Sequence, residues 1–304
     1  AVTTASDNTA VGSYSLTNTT TGVENVAIGY TALEANTTGG YNTAVGTDSM
    51  LANTTGQENV ALGWNSLDSN TTGSYNIAIG ASSLGVNTTA SNNTAVGYQA
   101  LTTNTTGAEN VAVGNLALQY NTTGTHNVAV GASDGSSGAT LGTNSSGSAN
   151  TAIGMQSLKA NTTGNNNTAV GYRALYANTT SSDNTAIGKN TLTAVTTGPG
   201  NSAFGGTAGD ALTTGADNVL IGYAAGTTDT NLITGSSNVL VGAYTEVNAT
   251  DCAGAVVIGY NVTGTEGYTT LGNSGNDIRA AHGNVTWATV SDERVKKDIK
   301  DSTV

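Results

Sequence analysis

Acidic side chains recur in this chain at a fixed place: Asp7, Glu24, Glu58, Glu109, Asp183 and Asp217 each stand directly before an Asn that opens a short apolar run. Paired carboxylates of this kind could cleave a glycosidic bond, which requires one acid and one base or nucleophile set about it. Here they form a periodic stripe from which no pair stands out, and that argues against an enzyme. His126 and His282 are isolated, without the spacing of metal ligands, and nothing calls for a cofactor. The one cysteine, Cys252, cannot close a disulfide within the chain. In an assembly of copies it would either meet its counterparts or lie buried as a small residue.

The elements that carry these residues are written in a repeat. The pentad Asn25-Val26-Ala27-Ile28-Gly29 recurs with little change, its glycine falling every 17 residues from Gly12 to Gly131, from Gly154 to Gly222, and from Gly242 to Gly259. Longer steps, across Ala132 to Asn150 and Tyr223 to Asn238, contain Gly, Ser and Thr clusters and read as insertions. A unit of this length is too short for two helices. Its β-branched residues and Gly-bounded turns predict one coil of a β-solenoid. The coil has a strand ending at the pentad Gly, a second strand around Leu33, and a turn at Asn36-Thr37-Thr38-Gly39.

Side chains alternate across a strand, so Val26 and Ile28 share one face and Ala27 the other. The larger pair is expected inside the coil, with Leu33 and its column mates Leu16, Met50, Leu67, Leu101 and Leu118. The Ala column (Ala10, Ala27, Ala44 and onward) then reads as a flat outer seam that lets another copy approach closely. The Asn columns, Asn25 and Asn42 before the strand and Asn36 and Asn53 at the turn, are expected to stack as amide ladders. The Asn-Thr-Thr triplets match a glycosylation acceptor, though the repeat itself explains them. Thr37 and Thr38 are adjacent and face opposite ways, which opposes an ice-binding array.

Composition points the same way. Among 304 residues there are 41 Gly and one Pro, with 9% charged and 5% aromatic residues, so any core is thin and long. A net charge of −12 argues against nucleic acid as a partner. No apolar run is long enough to cross a membrane. The opening at Ala1 reads as a processed product or a fragment. A single coil buries too little to offset its backbone entropy, so stacking, and wrapping of several chains about one axis, is expected. Coils rising about 4.8 Å each give a rod of about 70 Å.

The pentads Asn25 to Gly29 and Asn150 to Gly154 resemble the head repeats of trimeric autotransporter adhesins, a resemblance that covers Asn8 to about Gly259. It implies an all-β, repetitive, left-handed parallel β-roll with three chains side by side, although the 17-residue coil is longer than is usual in that family. The segment Ser291-Asp292-Glu293-Arg294-Val295-Lys296-Lys297-Asp298-Ile299 is similar to the start of the intramolecular chaperone domain of peptidase family S74, found behind phage tail fibres. That resemblance implies self-cleavage between Ser291 and Asp292, with Ser291 as nucleophile and Lys296 as base. Thirteen residues follow Ser291, so the chaperone is truncated. The layout implied is a solenoid rod over 1–259, a neck over 260–290, and the chaperone start over 291–304.

The function this implies is a trimeric fibre shaft of a phage tail or extracellular appendage, contributing to host-surface attachment. The alternative is the head of a bacterial trimeric surface adhesin. Partners would be further copies of the chain and a host glycan or protein, met at the insertions Ala132 to Gly147 and Tyr223 to Gly235. Exposed rings such as Tyr30, Trp64, Tyr98, Tyr172 and Tyr223 either stack on sugars or cover the flank.

Overall fold

The computed structural model describes residues 4–133 and 138–283, with the backbone of 288–289. The chain forms two compact units, Ala1–Asp183 and Asn184–Val304. Each is a parallel β-solenoid, and no helix occurs among the described residues. In the first unit, three-residue strands run from Thr9–Val11 to Thr168–Val170. Each pairs in parallel with the strand one coil on, as in Val26↔Thr43, Ala27↔Ala44 and Ile28↔Val45. The register skips the first insertion without shifting a face, since Val128 pairs Thr151 and Ala129 pairs Ala152.

The second unit repeats this from Thr185–Ile187 to Val239–Val241 and on to Val256–Tyr260. Tyr268–Asn273 adds in parallel. Ile278–Ala281 then turns back antiparallel, and Ala288–Thr289 pairs antiparallel with that strand.

The two strand faces are the reverse of the sequence expectation. From the second coil on, the Ala column (Ala27, Ala44, Ala61, Ala78 and onward) is fully buried, in the same core as Leu33, Met50, Leu67 and Leu84, whereas Ile28 is 40% exposed and Ile79 37%. Ala10, in the first coil, is exposed. The reason lies in the width of the coil. Leu projects from the turn into the narrow interior, and the wall opposite has room for a methyl group. Asn25 settles the parity, because it lies two residues from Ala27 and its amide is buried too. The Ala column is therefore core and no seam.

The expected second strand is missing from most coils and, among the described residues, forms only late in the second unit, where Glu246–Val247 pairs in parallel with Thr263–Gly264. Elsewhere the turn prevents it: Thr31 and Leu33 have φ of 56° and 53°, with similar values at their equivalents from Leu16 to Leu192, and a left-handed residue cannot continue a strand. The segment is a turn that still bonds to the next coil, with Leu33 N–H donating to Ser49 O at 3.1 Å. These turns aim Leu at the core.

The amide ladders form as expected. Asn25 Oδ1 accepts from both the backbone N–H (3.0 Å) and the Nδ2 (3.1 Å) of Asn42, whose Nδ2 also donates to Gly56 O at 2.9 Å. At the turn, Asn36 Nδ2 donates to Gly39 O and Asn53 Nδ2 to Asn36 Oδ1, both at 3.0 Å. All four of these Asn are fully buried, so the ladders satisfy polar groups that would otherwise be costly to bury. The pentad glycines are required by proximity. A Cβ on Gly80, at φ +125°, would sit 2.5 Å from Gly97 O.

In the second unit the core exchanges its sizes. Leu220 stands in the Ala column, paired to Ala203, and Leu240 follows it. Gly209 meanwhile takes the Leu column, 17 residues after Leu192. A Cβ on Gly209 would lie 2.5 Å from Leu220 Cδ1 and 2.8 Å from Leu192 Cδ2. Where one wall grows, the other shrinks.

Candidate assembly face and surface sites

With Ala and Asn inside, each coil turns a row of four positions outward. In one coil these are Glu24, Val26, Ile28 and Tyr30; in the next, Tyr41, Thr43, Val45 and Thr47. The third position is apolar in every coil, from Val11 through Leu62, Ile153 and Phe204 to Ile258, and it is never fully covered. A surface position facing water tolerates polar residues. Strict apolarity at a half-open position points to a face that something else covers. The sequence carried the signal in the parity between the Asn and Ala columns, but size misled the expectation.

The rings flank this face. Tyr30, Trp64, Tyr98 and Tyr223 are 53–55% exposed and Tyr172 38%. Tyr223, Tyr244 and Tyr260 form an edge-to-face column with centroids 5.5 and 5.8 Å apart. These rings stand partly open on the flank, and Tyr30 also packs edge-to-face with Tyr14.

The acidic stripe is exposed. Each of its members has a positive φ, from 55° at Glu58 to 63° at Asp183, which places it at the tight corner leading into the inward Asn. Glu109 meets His126 Nε2 at 2.8 Å, with both side chains more than half exposed, a contact worth little. Among the described residues no group of three or more His, Cys, Asp or Glu is arranged to hold a metal ion, and no helix is long and apolar enough to cross a membrane.

Both Asn ladders continue across the first insertion, and the ladder before the strand continues across the second; the turn column of the second unit is apolar, with Val195, Leu212 and Leu232. Beside the first, the Lys159 stem packs so closely on Gly138 that a Cβ there would lie 2.7 Å from Cε. Lys159 Nζ reaches Tyr176 Oη at 3.0 Å, and Arg173 lies over the same ring at 4.2 Å. The Lys159 hydrogen bond, with the charge of both cations, draws the Tyr176 hydroxyl below its ordinary pKa despite partial burial.

The second insertion is tied down by Glu246. Its Oε2 accepts from the Thr228 hydroxyl (2.5 Å), Asp229 N–H (2.8 Å) and Thr230 N–H (3.2 Å), and its Oε1 from the Thr263 hydroxyl (2.8 Å). Burial alone would raise this carboxyl. The hydrogen bonds outweigh it, and the pKa lies below the usual range. Nothing in the spacing of the sequence marked Glu246, because three of its four donors lie in the insertion.

Cys252 is 1% exposed. Burial, with the charges of Glu266 and Asp251, pushes its thiol up to about 11. It packs as a small core residue, the second of the two roles open to it. Ser291, Asp292 and Lys296 lie outside the described residues. Comparison with protein-family models and with curated proteins gives no match to this chain.

Proposed function

We propose that this chain is the shaft of a trimeric fibre, of the kind carried on phage tails, which contributes to attachment at a host surface. The observation that carries the reading is the outward strand column, apolar in all fifteen coils and partly open to water in each. Copies wrapped about an axis parallel to the coil stack of a unit would cover this column within that unit. Three copies follow from the resemblance of the pentads to trimeric adhesin heads. The phage assignment follows from the resemblance of the Ser291 segment to the S74 chaperone. The same resemblance implies self-cleavage by Ser291 with Lys296 as base, where the complete chaperone follows.

Sedimentation of the intact chain over a range of concentrations tests this reading. A trimer is expected, and Ile79→Glu, which alters the outward face and leaves the coil interior intact, should weaken it at least tenfold. A monomer at every concentration would overturn the proposal. The attachment role predicts that labelled trimer is retained on host cells and that the dissociated variant is lost, because display in threes multiplies weak contacts.

A further inference from the structure

The rings on the outward face do not fall at random. Five successive coils carry one exposed ring each, on alternating edges: Tyr30 after the pentad Gly, Tyr41 before the Asn, then Trp64 after, Tyr75 before and Tyr98 after, all 52–55% exposed. The opposite edge of the same five coils carries Glu24, Thr47, Glu58, Ala81 and Asn92, none of them a ring. The two edges of a coil are six residues apart, about 20 Å along an extended strand, so a ring on one edge does not touch the other edge of its own chain. Tyr41, Trp64, Tyr75 and Tyr98 have no ring partner among the described residues.

A stack of near-identical coils has a register problem. A neighbouring copy that slides by one coil finds almost the same surface, and sheets with weakly specified register slip. Rotation about an axis along the stack sets the before-Asn edge of one copy against the after-Gly edge of the next. In register, every layer of such a joint holds one ring opposed by a non-aromatic side chain: Tyr41 against Thr47, Tyr75 against Ala81, Tyr30 against Glu24. A slip of one coil puts two rings into some layers and none into others, giving overlap in one and a void in the next, both unfavourable.

We infer that the alternating rings of the second to sixth coils set the layer register between copies of this chain, excluding slips by an odd number of coils. The occupant of the face is thus a second copy in parallel orientation, since an antiparallel copy would not pair unlike edges layer by layer. The inference rests on the assembly proposed above.

The test is a double-mutant cycle on self-association, using Thr47→Tyr and Tyr41→Asn. Both introduce residues that occupy the same columns in other coils, Tyr30 and Asn92, and Asn tolerates the positive φ of 62° at position 41. Positions 41 and 47 are too far apart within one chain to couple. In a registered assembly they meet between copies. Thr47→Tyr alone should weaken association about tenfold or more, read by sedimentation on dilution, and adding Tyr41→Asn should restore most of it.

Additive effects in a chain that does associate would overturn the register inference and leave the assembly intact. So would coupling of Thr47→Tyr to Glu58→Ala in place of Tyr41→Asn, because that pair meets only after a slip of one coil. A chain that never associates would instead sink the assembly reading, and the register inference with it.

Discussion

Exchanging Gly209 and Leu220 tests whether the Ala and Leu columns share one core. Gly209→Leu restores to its column the residue found in Leu192, at a backbone φ of +61° against 50° for Leu192, so the backbone accepts it. The space does not. A Cβ alone would come within 2.5 Å of Leu220 Cδ1, and overpacking of this kind destabilises by about 1–3 kcal/mol. Leu220→Ala removes a fully buried side chain where Gly209 offers nothing to fill the gap, at a cost of about 2–5 kcal/mol. Together the two changes rebuild the arrangement of the first unit, Leu from the turn against Ala on the strand.

The double variant should therefore be more stable than the sum of the singles by about 1–3 kcal/mol, the range of coupling between residues in contact. Because long repeat arrays need not unfold in one step, the measurement should be local. Amide hydrogen exchange across Ser202–Phe204 and Val219–Ile221 reports the opening free energy of these coils. Additivity within about 0.5 kcal/mol would refute the shared core and return the Ala column to the outside.

Breaking one rung of the amide ladder should also be costly. Asn76→Ala leaves the buried N–H of Asn93 without its acceptor, while the Ala90 carbonyl keeps its bond from Asn87 Nδ2; the one unpaired group costs about 1–3 kcal/mol, seen as faster exchange in the flanking coils. Glu246 has a depressed folded pKa, so its hold on residues 228–230 is fully present above the usual carboxylate range near 4.5 and is lost as pH falls through its folded value. Limited proteolysis of this insertion should rise with acid in the unmodified chain, whereas Glu246→Gln should be cut more readily at pH 7 and show a flatter pH profile. Cys252 should resist thiol reagents at pH 8 in the folded protein and react fully on denaturation. Rapid labelling of the native chain would contradict its burial.

The pentad spacing by itself determined the all-β solenoid, the 17-residue coil and the amide ladders, because a short repeat with glycine at a fixed place leaves the backbone one economical way to stack. It also located both insertions, since a break in the period is visible without any coordinates. Which strand face is core was decided by the tertiary structure alone. Val and Ile are larger than Ala, and burial by size is a sound prior for a wide core. In a coil this narrow, Leu33 at a positive φ already fills the interior, and what faces it must be small. That turn geometry depends on bonds to the coils above and below and is written in no single unit. The same holds for Glu246, whose four donors come together only when an insertion and two later coils are stacked.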